Sequence, residues 1–154
     1  VWLRRPGDEE FQSIYTGQDA GGITAIAAGP DADRVFVLER SRIIELRSFG
    51  DIAFDVSGDL ASLDPGRFRS LPWVAGDAAA ALLAGTDRGV YVAFESGGFE
   101  AWSRVGAGIP QSPVFDLDVD PARDRVLAST MGRGSYSLDG LLQRLPRIFA
   151  SGFE

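Results

Sequence analysis

At 154 residues, with 45% apolar side chains and a formal net charge of −7, the chain has material for one core but not the basic surface that nucleic acid or anionic lipid demands. It holds no cysteine and no histidine, and all fifteen basic residues are arginine. That removes zinc sites built on thiolate or imidazole, Ser-His-Asp and Cys-His triads, phosphate loops of the Walker type and lysine Schiff bases, and leaves any chemistry to carboxylates, Tyr, Ser, Thr or Arg.

The first residues give two short strand signals, Val1 to Arg5 and Phe11 to Tyr15. Next comes a run of apolar segments between Gly, Pro, Asp and Ser turns, the pattern expected of short strands. Ile23 to Ala28 leads through Gly29-Pro30-Asp31 into Arg34 to Leu38, then Ile43 to Leu46, then Ile52 to Val56. Ser57 to Ser70 reads as an enlarged loop with a turn at Asp64-Pro65-Gly66. The order then repeats: Leu71 to Ala75, Ala80 to Ala84, Val90 to Phe94, Phe99 to Val105. A third copy runs from Val114 to Val119, Arg125 to Ala128 and Ser135 to Leu138. In the tail, Leu141, Leu142 and Leu145 predict a helical turn before Pro146, and Phe149 and Phe153 need somewhere to pack.

Trp2, Ile44, Tyr91 and Tyr136 hold the same place in successive copies, 42, 47 and 45 residues apart. Regular spacing of this size marks stacked repeat units, and a four-stranded antiparallel meander is the unit of a β-propeller blade. The expectation is therefore an all-β chain, a β-propeller fragment of about three four-stranded blades. Residues 1–17 form a half blade, 20–58 and 69–106 full blades, 113–138 a partial blade and 139–154 a tail. A two-sheet sandwich is the main competing fold. The longest small-apolar run, Ala78 to Gly85, is too short to span a bilayer. The chain opens on Val and shows no signal peptide, so it is expected to be processed or a piece of something longer.

Leu83-Ala84-Gly85-Thr86-Asp87-Arg88-Gly89-Val90-Tyr91-Val92 resembles the second-to-third strand crossing of sialidase-like propeller repeats, the BNR or Asp-box repeats. Thr130-Met131-Gly132-Arg133-Gly134 is similar to their T-x-G-R-G turn, a turn also found in xyloglucanase-like glycosidases, photosystem-assembly propellers and sortilin-type receptors. The resemblance covers residues 20 to 138. The Asp-box itself has decayed: Glu95-Ser96-Gly97-Gly98-Phe99-Glu100-Ala101-Trp102 keeps a Gly and the Trp but lacks the Asp and Thr. The ending Ile148 to Glu154 is similar to one on secreted proteins of Gram-negative bacteria, which implies an extracellular or periplasmic place.

Asp116, Asp118 and Asp120 alternate along the first strand of the third copy and so share one face, beside the expected central channel. The bland reading is a solvated channel wall and a turn started by Asp120-Pro121. The same acids could hold a Ca²⁺ ion, or Asp116 and Asp118 could act as acid and base in glycoside cleavage. In true sialidases arginines clamp the carboxylate of the sugar acid, which makes Arg133 a ligand candidate, against a structural role in its turn. Trp73 breaks the repeat pattern and is the aromatic expected to touch a ligand; Tyr91 and Tyr136 are expected to pack between blades.

A ring of the usual four to eight blades is not closed by three and a fraction. If each end face were apolar over about 500 Å², leaving both wet would forgo roughly 25 kcal/mol at ~25 cal/mol/Å². The expected partners are therefore the remaining blades of a parent propeller or a second copy, with a protein or polysaccharide as ligand. The expected function is a non-catalytic binding or structural scaffold in a secreted bacterial protein. The alternative is part of a secreted glycoside hydrolase.

Overall fold

The turns that punctuate the sequence fold each apolar run back on the one before it. In the computed structural model, which describes residues 1–75, 79–106 and 108–144, the result is an all-β chain of antiparallel sheets. Phe149 and Phe153 lie outside the described residues.

Strands β1 (Trp2–Leu3) and β2 (Gln12–Ser13) make a two-stranded ribbon. Strands β3 (Ile23–Ala28), β4 (Val35–Glu39), β5 (Ile43–Arg47) and β6 (Ile52–Asp55) form a four-stranded meander in sequence order. In the third sheet β7 (Phe68–Ser70) and β8 (Trp73–Ala75) both pair with β9 (Ala80–Thr86), followed by β10 (Gly89–Phe94) and β11 (Trp102–Val105). Strands β12 (Val114–Asp120), β13 (Arg125–Thr130) and β14 (Gly134–Asp139) make the last sheet, and α1 (Leu141–Arg144) is a single helical turn behind it.

The leading strand of the third sheet differs from the sequence reading. The first strand of the third sheet starts at Phe68, inside the segment expected to be loop, and Pro72 splits it in two. Proline has no N–H to give the ladder, but its carbonyl still accepts from the Leu83 N–H at 3.0 Å, so β7 and β8 stay in line. The rest of the expected loop is largely exposed but anchored at points. Leu60 is fully buried, and the Asp59 carboxylate accepts from the Trp102 N–H at 2.7 Å, tying the loop to β11. Gly58 permits this approach: its φ is +51°, and a Cβ there would strike the carbonyl oxygens of Phe99 and Glu100.

The core lies between sheets. Phe36 and Leu38 of β4 meet Leu82, Ala84, Tyr91 and Ala93 of the third sheet, while Ala81, Leu83, Val90 and Val92 on its other face meet Val114, Val126 and Ala128 of the last. Strands β9 and β10 are buried on both faces, which is why they read as unbroken apolar runs rather than alternating ones. Val37, Ile44 and Leu46 pack under Val1, Ile14 and Tyr15 at the ribbon end.

Ile44, Tyr91 and Tyr136 each face the sheet that precedes theirs in the chain. Trp2 occupies the matching position on β1, paired with Ser13 as Ile44 is with Asp55 and Tyr91 with Arg104, and it is 67% exposed. At the opposite end the expected apolar face does not exist. Asp116–Ser129–Ser135 and Asp118–Leu127–Ser137 are the cross-strand rows there, exposed throughout, and Leu127 is their one large apolar member. The burial penalty assumed for two wet ends therefore does not apply to the last sheet.

The threonines that open the turns after β9 and β13 have a structural use. Thr86 Oγ1 donates to the Gly89 carbonyl at 3.0 Å and accepts from the Arg88 N–H, and Thr130 Oγ1 donates to the Gly134 carbonyl at 2.6 Å. The threonine hydroxyl closes each hairpin from within. Glu39 stands at the corresponding place in the second sheet. There its buried carboxylate accepts from the Tyr15 hydroxyl at 2.8 Å and from the N–H groups of Gln18 and Asp19, fastening the ribbon to the next sheet. Burial and then the bond to Glu39 push the Tyr15 hydroxyl up to about 12.

Candidate functional site

The leading strands of the three larger sheets converge. Strand β7 lies against both β3 and β12, and β12 also reaches β9. They border an open cavity of about 510 Å³, within the size range of small-ligand sites. Small side chains on one wall, Ala25, Ala27 and Ala28 of β3, leave the room. Trp73, Phe115, Arg69 and Asp116 give the other walls an aromatic and charged character.

Trp73, singled out in the sequence, lines this cavity. Its ring packs on the core shared by the second and third sheets, and its buried Nε1 has no acceptor among the described residues. Ser70 Oγ beside it is buried and unpaired as well.

The three aspartates part company. Asp116, Asp118 and Asp120 do share a face, through pairings with Ser129, Leu127 and Arg125. That face is the outer face of the last sheet rather than the channel wall, and only Asp116 of the three lines the cavity. A register shift between Val114 and Asp116 turns this end of β12 and brings Phe115 and Asp116 together to the cavity. Asp120 is the turn starter: it accepts from the Arg123 N–H at 3.2 Å and from its guanidinium at 2.6 Å, and the Arg123 side chain holds its carboxyl below the usual range. Among the described residues no group of three or more acidic side chains is gathered as a metal site would need. Arg133 sits on the exposed turn between β13 and β14 and does not line the cavity.

Sequence reasoning missed Arg69 and Phe115. The Arg69 guanidinium lies 4.4 Å over the Phe115 ring, and its Nε donates to Asp87 at 2.6 Å. Phe115 is 48% exposed. The available signal was an aromatic next to Asp116 in a strand whose other apolar residues are aliphatic.

Compared with known proteins, the chain matches no protein-family model, and no curated protein is similar to it in sequence.

Proposed function

We propose that the chain is a run of blades from a sialidase-like β-propeller, acting as a non-catalytic binding or structural scaffold in a secreted bacterial protein. The observation that carries this reading is the convergence of β3, β7–β8 and β12 on one cavity, each being the first strand of its sheet. Successive meanders stacked face to face, always in the same sense, with first strands innermost, are the arrangement of propeller blades. The threonine-closed turns after β9 and β13 fit the same reading. So does Trp2, an exposed aromatic where the other copies use this position for packing: it suits contact with a further blade or a second copy.

The hydrolase alternative needs two carboxylates flanking a glycosidic bond. Asp116 alone among the paired candidates reaches the cavity, so the acid and the base are not both in place. The scaffold reading places ligand contact on Trp73 and Phe115 instead, aromatic faces on a concave wall.

Affinity electrophoresis with soluble xyloglucan as the probe tests this. Trp73→Ala is expected to weaken binding about tenfold, equivalent to ~1.4 kcal/mol. Asp116→Asn and Asp118→Asn are expected to leave any polysaccharide turnover unchanged. Turnover abolished by those two substitutions would replace the scaffold with the hydrolase.

A further inference from the structure

Beside the central cavity lies a second one of about 250 Å³, at the end of the sheets where β4 turns into β5. Arg40, Arg67 and Arg69 line it, together with Gly21, Thr24 and Phe115. Three arginines lining one hollow are unexpected in a chain of net charge −7. Like charges gathered this way repel one another unless something anionic sits between them.

The structure fixes the backbone of Arg40 and Arg67 and the side chain of Arg69. Phe68 N–H donates to the Arg40 carbonyl at 3.1 Å, joining the β4–β5 turn to β7. Two hydrogen bonds join Arg67 to Asp87: Arg67 N–H donates to the Asp87 carboxylate Oδ2 at 3.1 Å, and Asp87 N–H donates to the Arg67 carbonyl at 3.0 Å. Arg69 is fixed by Asp87 and by stacking on Phe115. The Arg40 stem lies across Gly21, where a Cβ would come within 2.5–3.0 Å of its side-chain carbons.

Their charges are only partly offset. Asp87 neutralises Arg69. Asp19 stands near Arg40, but its carboxylate is taken up by the Gly21 N–H and by the Ser41 N–H and hydroxyl. Neither Arg40 nor Arg67 joins an ion pair among the described residues.

We propose that Arg40, Arg67 and Arg69 form a binding site for a tetrahedral oxyanion, the phosphate or sulfate group of a ligand whose remainder rests against Phe115. A planar carboxylate is satisfied by one bidentate guanidinium. A phosphate or sulfate has oxygens enough for donors arriving from a turn, from strand β7 and from the residue just before it. The site goes beyond the scaffold reading, since it depends on the rim arginines and not on Trp73.

Isothermal titration of the whole chain at low ionic strength, with sodium phosphate, sulfate and acetate as probes, tests it. Phosphate and sulfate are expected to bind, and acetate at least about tenfold more weakly. Arg40→Gln and Arg67→Gln are each expected to weaken binding about tenfold, the loss of one charged hydrogen bond. Both arginines are exposed, so the urea midpoint is expected to stay put. Arg133→Gln removes the same charge away from the site and is expected to change nothing. Trp73→Ala is expected to leave anion binding intact, so this proposal and the scaffold can fail separately. Phenyl phosphate against phenyl sulfate shows which ester the site prefers, and tighter binding of either than of its inorganic ion supports the Phe115 contact. No heat with phosphate or sulfate, acetate binding as tightly, or an Arg133→Gln effect equal to that of Arg40→Gln overturns the proposal.

Discussion

Phe36→Ala is expected to cost about 3–5 kcal/mol, enough to consume much of the 5–15 kcal/mol that stabilises an ordinary domain. Phe36 is wholly buried between the second and third sheets, its ring edge-on to Phe99 at 5.6 Å between centroids, with the Arg34 guanidinium 5.1 Å from its own. The substitution removes apolar area from the core and leaves a void that β-strands fixed by their ladders cannot close. In urea the midpoint should fall with the slope unchanged, since the surface exposed on unfolding stays nearly the same. Leu127→Ala is the internal comparison. Leu127 stands on the polar outer face of the last sheet, and its truncation is expected to stay within about 0.5 kcal/mol of the parent. Equal losses for the two would mean that the sheets do not face one another as described.

The second large effect is expected at Arg34. Its guanidinium bridges Glu45, 2% exposed in its side chain, and Glu95, while Arg47 donates to Glu45 from the solvent side at 2.8 Å. Arg34→Ala strands Glu45 in the sheet interface with the exposed Arg47 as its remaining cation. Breaking a buried pair from one side costs about 3–5 kcal/mol, because the charge left behind is still desolvated. The bond to Glu95, more than a third exposed, adds at most about 1 kcal/mol. The double substitution Arg34→Met with Glu45→Leu removes both charges and is expected to recover most of the loss. Urea unfolding of the parent, the single and the double variant checks this. A double variant as unstable as Arg34→Ala would mean that packing of the arginine stem, not the charge, carries the effect.

Much of the fold was legible because local chemistry decided it. Gly, Pro and Asp turns set the strand limits, and the doubly apolar runs of β9 and β10 announced strands buried on both faces. What escaped depended on one sheet meeting another. The strand reads as starting at Leu71, yet its pairing with β9 starts at Phe68 and continues past Pro72 through the proline carbonyl. Trp2 looked like a packing residue because its equivalents are, but packing needs a neighbouring face as well as a position in the repeat. The polar alternation of Asp116, Asp118, Ser129, Ser135 and Ser137 was visible in sequence; that it marks one continuous solvated face follows only from the register of three strands. The arginine-lined hollow was invisible for the same reason: residue 40 is brought to residues 67 and 69 by the approach of two sheets, which no spacing along the chain encodes.

The central claim is that the first strands of successive sheets are the innermost elements and share one cavity. The absence of native cysteine makes pairwise spin labelling clean. With labels on Ala25 and Asp116, across the cavity, the account predicts a single short distance. With labels on Ala25 and Ser137, on the outer face of the last sheet, it predicts a clearly longer one. The reverse order, or a broad distribution for the first pair, would contradict it.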